Sequence, residues 1–368
     1  MQTTAAVARE AKGPFSIETV EVEEPRAGEV RVKIAGVGLC HTDLVFRDQF
    51  VPYPLPAVLG HEGAGTIDAI GEGVAGLAVG DRVVLGFSSC GHCARCGDGL
   101  PSYCTDFPPL NYAGMRLDDG SMAFSNGEER IASHFFGQSS FAAHTIVRAR
   151  NVVKVTDAEA PLAILGPLGC GFQTGAGGVM RSMACPAGST IAIVGGGPVG
   201  LAAVMGAKIQ ACSTIILVEP VAGRRQLALD LGATHVIDPT AGDVTAAVRD
   251  ILPGGVDFAF DTSGRINAIE AILGALAPRG MLGLVGVPPR AEDAISLNLA
   301  GMITYGQRIV GIMEGDSDPQ TFIPELIAAH RDGRFPFDRL VQTFPMSAIN
   351  EAIAAQARGE CVKVVLLP

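Results

Sequence analysis

The sequence predicts an α/β protein in which a β-rich unit precedes a doubly wound parallel sheet. Three observations predict it. Residues 30–34 alternate apolar and polar, and residues 63–84 mix β-branched residues with turn signals at Gly71, Gly73, Gly76 and Gly80-Asp81, as barrel-like β structure does. After about residue 170, short apolar runs alternate with helical patterns, which implies a parallel sheet with crossover helices. A glycine-rich turn, Gly195-Gly196-Gly197-Pro198-Val199-Gly200, stands between one such run and the helical pattern that follows it.

In chain order, strands are expected at 190–194, 214–218, 235–237, 256–261 and 281–285. Helices are expected at 199–210, 224–231, 244–252 and 266–277, with Gly232 and Gly280 as C-terminal stops. Two more helical patterns, 319–330 and 347–357, and a strand at 362–367 follow.

With 368 residues, two domains are expected. A net charge of −11 argues against nucleic acid and anionic membrane as main partners. Mean hydropathy is +0.33, yet every 18-residue apolar stretch is broken by Gly, Pro or a polar residue, so no transmembrane helix is expected. The start, Met1-Gln2-Thr3-Thr4, lacks a basic n-region, and a cytoplasmic location is expected. Nine cysteines, four of them within residues 90–104, then fit metal better than disulfides.

The glycine turn satisfies G-x-G-x-x-G at Gly195, Gly197 and Gly200. In that pattern the first glycine makes the tight turn, the second admits a pyrophosphate, and the third lets helix and strand pack. The phosphate meets a helix N-terminus, where free N–H groups and the dipole favour an anion. The plain alternative is an ordinary loop. Glu219 falls 22 residues after Gly197, where an acid holds the adenine ribose hydroxyls and repels a 2′-phosphate. NAD is therefore favoured over NADP, although Arg224 and Arg225 nearby could serve a 2′-phosphate or simply solvate a helix start.

Cys90, Cys93, Cys96 and Cys104 offer four thiolates in one glycine-bearing loop, the closed set that structural zinc prefers; a redox or iron–sulfur site is the competing reading. Cys40, His61-Glu62 and Cys170 are dispersed. Singly they read as buried residues; together they offer two thiolates and an imidazole with a fourth position open, the pattern of catalytic zinc.

Motifs occurring in order carry a family resemblance: Gly38-Leu39-Cys40-His41-Thr42-Asp43, Leu59-Gly60-His61-Glu62-Gly63-Ala64-Gly65, Gly80-Asp81-Arg82-Val83, the four-cysteine lobe, and Gly169-Cys170-Gly171-Phe172-Gln173-Thr174-Gly175. From about residue 5 onward the chain resembles the zinc-dependent medium-chain alcohol dehydrogenases. Cys40-His41-Thr42-Asp43-Leu44, the stretch 134–141 (HFFGQSSF) and the stretch 314–319 (EGDSDP) make it most similar to the bacterial aryl-alcohol (benzyl alcohol) dehydrogenases, and geraniol dehydrogenases share much of this pattern.

The resemblance implies a GroES-like catalytic domain at 1–171 and 313–368, a Rossmann domain at 172–312, and a homodimer or homotetramer. It implies two zinc ions per chain: a catalytic one on Cys40, His61 and Cys170, and a structural one on Cys90, Cys93, Cys96 and Cys104. It further implies reversible, NAD-dependent oxidation of a primary aromatic alcohol to its aldehyde, with hydride passing from the alkoxide to nicotinamide C4. An allylic terpenol is the alternative substrate class.

Residue by residue, the resemblance assigns Thr42 to proton transfer from the substrate, unless it only caps a helix. It places Asp43 on the free N–H of His61, and Glu62 beside the zinc. Thr174, Val199, Val285 and Val287 match nicotinamide contacts, and Lys363 a group on the pyrophosphate. His41 stands where many relatives carry an arginine for the same phosphate, and Arg224 lies near the ribose. Val51, Phe135 and Phe136 match substrate-channel positions, with Phe87 a further candidate; core packing is the plain reading of each phenylalanine. Val45 stands where liver-type relatives carry a proton-relay histidine.

A polyol dehydrogenase commonly has Glu in a Glu-Pro-Leu context where this chain has Gly166-Pro167-Leu168-Gly169-Cys170. A catalytically silent nucleotide-binding protein need not keep Cys40, Thr42, His61 and Cys170 together. Cys185, Cys212 and Cys361 remain as plain thiols.

Overall fold

The structure, a computed structural model, describes residues 1–368. The chain forms two compact units, one of residues 1–170, 318–331 and 338–368, the other of residues 171–317 and 332–337. Its strands are β1 (Gln2–Ala8), β2 (Phe15–Val22), β3 (Glu29–Gly38), β4 (Ala57–Val58), β5 (Gly63–Ile70), β6 (Arg82–Leu85), β7 (Phe124–Asn126), β8 (Glu129–Ile131), β9 (His144–Arg148), β10 (Val152–Lys154), β11 (Thr190–Val194), β12 (Thr214–Val218), β13 (His235–Ile237), β14 (Val256–Asp261), β15 (Leu276–Leu284), β16 (Arg308–Gly311), β17 (Val341–Pro345) and β18 (Lys363–Leu367).

The first unit holds two sheets. One is antiparallel, with order β4-β1-β2-β7-β8. The other runs β10-β6-β5-β3-β18-β17, with β9 also paired to β3. β18 joins antiparallel to β3, Val365 opposite Gly38, and so returns the end of the chain to its beginning.

The second unit is a six-stranded parallel sheet of order β13-β12-β11-β14-β15-β16. This is the doubly wound 3-2-1-4-5-6 order, whose ligands bind beyond the strands' carboxyl ends where the order reverses. β11, β12, β13 and β14 have the bounds the sequence predicts. The helix Ala222–Leu231 stops at Gly232, whose φ of 126° suits only glycine.

The helix expected over 266–277 ends earlier, at Gly274. Leu276, buried opposite Val256, opens β15, and Gly280 lies inside that strand. The apolar run fits either period, and cross-strand burial decides for the strand.

A buried ionic network locks the first unit's loops. The Arg116 guanidinium donates to Glu29 Oε1 at 2.7 Å and Oε2 at 2.9 Å, and to Glu23 Oε2 at 3.0 Å. Burial pushes the Glu29 carboxyl up, but Arg116 and the Arg26 amide hold it below the usual range. A lowered folded-state value means that this stabilisation is complete above about pH 4.3, the usual glutamate value. It is lost as pH falls through the folded-state value. Glu29→Gln is expected to cost about 3 kcal/mol at neutral pH. The gap from wild type should shrink in acid, as read from urea midpoints across pH 3 to 7.

Candidate active site

In the first unit, Cys40 caps the helix His41–Arg47, and the fully buried Asp43 carboxylate organises what surrounds it. Asp43 Oδ2 accepts Cys40 N at 2.9 Å, closing the helix start. Oδ1 accepts Gly60 N at 3.1 Å and bonds His61 Nδ1 at 2.8 Å. Nδ1 thereby carries the proton, and Nε2 is left buried with no partner. The ligand atoms of Cys40, His61, Glu62 and Cys170 lie within 4.8 Å of one another. An orphaned imidazole nitrogen facing two thiols fits zinc.

Contact with Cys170 and His61 lowers the Cys40 thiol well below its usual value despite burial. Burial pushes the His61 imidazole down, but Asp43 and Cys40 outweigh it and hold His61 well above its usual value. Cys40 Sγ stands 3.6 Å from Thr42 Oγ1. Asp43→Asn, which disturbs the His61 tautomer, is expected to weaken metal retention about 10–100-fold, measurable by competition against a chromogenic chelator.

The Glu62 carboxylate, also fully buried, pairs with the Lys363 ammonium, which donates to Leu39 O at 3.0 Å. Burial raises the Glu62 carboxyl despite that cation. Lys363, assigned to the pyrophosphate by resemblance, is instead 1% exposed, paired with Glu62 and close to the Cys40 and Cys170 thiols. The physical reason is that a buried carboxylate requires a counter-charge.

Aromatic rings wall the site. Phe136 stacks on His61 at 4.5 Å and Phe135 meets it edge-on at 5.5 Å. Phe46, Tyr53 and Tyr112, which sequence reasoning missed, pack behind them. Phe87 does not join the rings at His61. It packs on Phe107 and lines a cleft of about 570 Å³ beside the four-cysteine lobe. Val51 is half-buried and His41 exposed.

The stretch 134–139 carries left-handed backbones at His134, Phe136 and Ser139, with φ of 60°, 49° and 54°. Such strain persists only where surroundings enforce it. Gln138 is one enforcer and was also missed. Its Nε2 donates to His61 O at 2.8 Å while Oε1 accepts Gly63 N at 3.0 Å, so it clamps the chain on both sides of Glu62. The only signal for it was its place in the 134–141 stretch.

The lobe gathers Cys90, Cys93, Cys96 and Cys104 within 4.8 Å. Sulfur separations of 4.0 Å for Cys90–Cys96 and for Cys93–Cys104 suit a shared tetrahedral ion. Amides aim at the sulfurs, as Cys90 N does at Cys104 Sγ, 3.2 Å away. Amide donation from Cys96 and Thr105 pulls the Cys93 thiol down to about 5, while burial pushes Cys104 up to about 12.

In the second unit, β11 leads into Gly195, with φ of 99°, and the helix Pro198–Ile209 follows. A Cβ on Gly200 would lie 1.8 Å from Gly195 O, so helix and strand close only on glycine. A Cβ on Gly197 would meet nothing within 4 Å, which leaves room for a phosphate. Glu219 is buried at the end of β12, accepting Gly196 N at 2.6 Å and Val221 N at 2.8 Å. Arg225 is engaged by Glu219 O and Asp238, whereas Arg224 keeps a buried Nε without a partner. Thr174 is buried, Val199 and Val285 are half-buried, and Val287 is exposed. No helix is long and apolar enough to cross a membrane.

Thiol-rich donor clusters suited to zinc, in a chain whose parallel sheet carries a dinucleotide turn, define a zinc-dependent dehydrogenase. Residues 26–157 match the alcohol dehydrogenase GroES-like domain, and residues 198–329 the zinc-binding dehydrogenase family. A geraniol dehydrogenase from Castellaniella defragrans is 47% identical over 99% of this chain and 97% of its own. Among solved structures, an alcohol dehydrogenase zinc-binding domain protein from Burkholderia ambifaria is 48% identical, with a TM-score of 0.97 over 100% of this chain and 99% of its own. The benzyl alcohol dehydrogenase of Acinetobacter calcoaceticus is 40% identical, with a TM-score of 0.96 over the same shares. The chain belongs to the zinc-dependent medium-chain alcohol dehydrogenases, with a GroES-like domain and a Rossmann domain.

Proposed function

We propose that the chain oxidises a primary aromatic, benzyl-type alcohol reversibly to its aldehyde, with NAD as hydride acceptor. The observation that carries this reading is His61, its Nε2 bare beside two thiols and its ring faced by Phe136 and Phe135. Flat aromatic walls suit a benzyl ring. An allylic terpenol is the second reading, favoured by the geraniol dehydrogenase at 47% identity.

Cys40, His61 and Cys170 would hold the catalytic zinc, and the four lobe cysteines a structural one. When bound, the catalytic ion supplies a Lewis acid that lowers the pKa of an alcohol hydroxyl. Asp43 holds the imidazole in the tautomer that presents Nε2, and Thr42 takes the substrate's hydroxyl proton. Glu62 and Lys363 keep the floor of the site electrically balanced, and Phe135, Phe136 and Val51 hold the ring and exclude water.

In the second unit, Gly195, Gly197 and Gly200 seat the pyrophosphate on the N-terminus of the helix Pro198–Ile209. Glu219 takes the ribose hydroxyls. Thr174, Val199, Val285 and Val287 hold the nicotinamide. The catalytic domain spans 1–171 and 313–368, and the NAD domain 172–312.

The reading includes a homodimer or homotetramer. It is supported by Leu299, Ile303 and Tyr305, each more than half exposed on one short helix, Leu299–Tyr305. A cytoplasmic location is supported by nine cysteines without a disulfide.

The test is a panel of benzyl alcohol, cinnamyl alcohol, geraniol, ethanol and sorbitol with NAD or NADP, followed by absorbance of the reduced cofactor. Preference for ethanol or sorbitol defeats the aromatic and allylic readings together. Glu219→Ala is expected to raise the kcat/KM ratio for NADP over NAD about tenfold or more, because it removes a buried carboxylate from the ribose site.

A further inference from the structure

Residues 314–316 adopt three successive left-handed backbones, with φ of 52° at Glu314, 68° at Gly315 and 50° at Asp316. For the two that carry side chains this conformation is strained and calls for neighbours that enforce it. Those neighbours are present. Asp316 accepts Ser182 Oγ at 2.7 Å and Met313 N at 3.2 Å. Gly315 lies flush on the helix Gly171–Gly177: a Cβ on it would stand 2.4 Å from Gln173 O, and one on Gly177 would stand 2.6 Å from Gly315 O.

The strained turn delivers the Glu314 carboxylate, 8% exposed, to that helix. Its Oε2 accepts Gln173 Nε2 at 3.2 Å and faces Thr174 Oγ1 at 3.4 Å. The second separation is long for a hydroxyl bond, as contacts of this kind often are before the ligand binds. One residue on, the helix touches the dinucleotide turn's own helix, since a Cβ on Gly175 would stand 2.0 Å from Val199 O. Turn, carboxylate, Thr174 and the start of the helix Pro198–Ile209 therefore form one continuous stack.

A hydroxyl has one proton to give. Given to Glu314, it leaves Thr174 Oγ1 as an acceptor, the complement of a carboxamide N–H2. We propose that Glu314 is a positioning residue for the nicotinamide end of the cofactor, acting through Thr174 by fixing its hydroxyl as an acceptor for the carboxamide. This rests on the dinucleotide reading above.

The test uses the purified, zinc-loaded protein and two ligands: NADH, read by its fluorescence, and ADP-ribose, which lacks nicotinamide, read by calorimetry. Glu314→Ala is expected to weaken NADH about tenfold, the scale of one hydrogen bond, and ADP-ribose less than twofold. Glu314→Ala combined with Thr174→Val should bind NADH no worse than Thr174→Val alone, because both remove one interaction. Equal loss of both ligands, unchanged NADH affinity, or additive losses would each overturn the proposal. If Glu314→Ala does not fold, Glu314→Gln keeps the volume with a weaker acceptor and carries the same comparison in the same direction. If wild-type protein binds neither ligand, the dinucleotide reading fails first.

Discussion

Cys170→Ala yields a folded chain that has lost alcohol turnover. The expected fall in kcat/KM is about 10³-fold or more, because a Lewis acid contributes several kcal/mol to the transition state and each 1.4 kcal/mol is tenfold. Zinc analysis should read one ion per chain fewer than wild type. The thermal midpoint should move by only a few degrees, since Cys170 follows a short 3-10 turn, Gly166–Gly169, and belongs to no sheet. Residual activity within tenfold of wild type would remove Cys170 from the ligand set.

Cys96→Ala acts in the opposite way. Cys90, Cys93 and Cys96 are all partly exposed, so little hydrophobic burial organises that loop without an ion. Zinc binding to such sites is folding free energy. Removing one of four thiols is expected to cost on the order of 4 kcal/mol, the exceptional range reserved for a lost metal or disulfide. Urea midpoints measure the loss, and Cys361→Ala is the control expected to lose far less. Activity per folded molecule should persist at low temperature. A stable Cys96→Ala protein that retains full zinc would contradict a structural role.

Four of the six Rossmann strands, β11 to β14, were legible to the residue. β11 and β12 are buried parallel strands, which read as uninterrupted β-branched and apolar runs bounded by turns, and β14 keeps a buried run, Ala259 to Asp261, at its carboxyl end. β15 was misjudged where Leu276 and Ala277 continue an apolar pattern compatible with helix, and only pairing with Val256 assigns them. The helix Leu299–Tyr305 and β16 leave no pattern in the sequence because neither buries a residue, so the helix shows no amphipathic stripe and the strand no buried run.

The four-cysteine lobe was readable from spacing alone, because its ligands are close in sequence. Convergence of Cys40, His61 and Cys170 was not, since 130 residues of chain separate the two cysteines; family resemblance supplied it. The phenylalanines divide in the same way. Phe135 and Phe136 are placed at His61 by strained backbone, whereas Phe87 faces another cleft, and ring chemistry by itself carries no address.

The return of β18 to β3 imposes an order of assembly. During synthesis, residues 171–317 emerge before Lys363 exists, and the parallel sheet they contain has all its strands and is free to fold. The first unit's larger sheet must wait for β18 to cover the end of β3 at Val37 and Gly38, a contact spanning more than 300 residues and slow to close. Until it closes, Glu62 lacks the cation that makes its burial tolerable. The nascent chain thus assembles its nucleotide fold first and its reaction chamber last, with the final strand acting as the keystone.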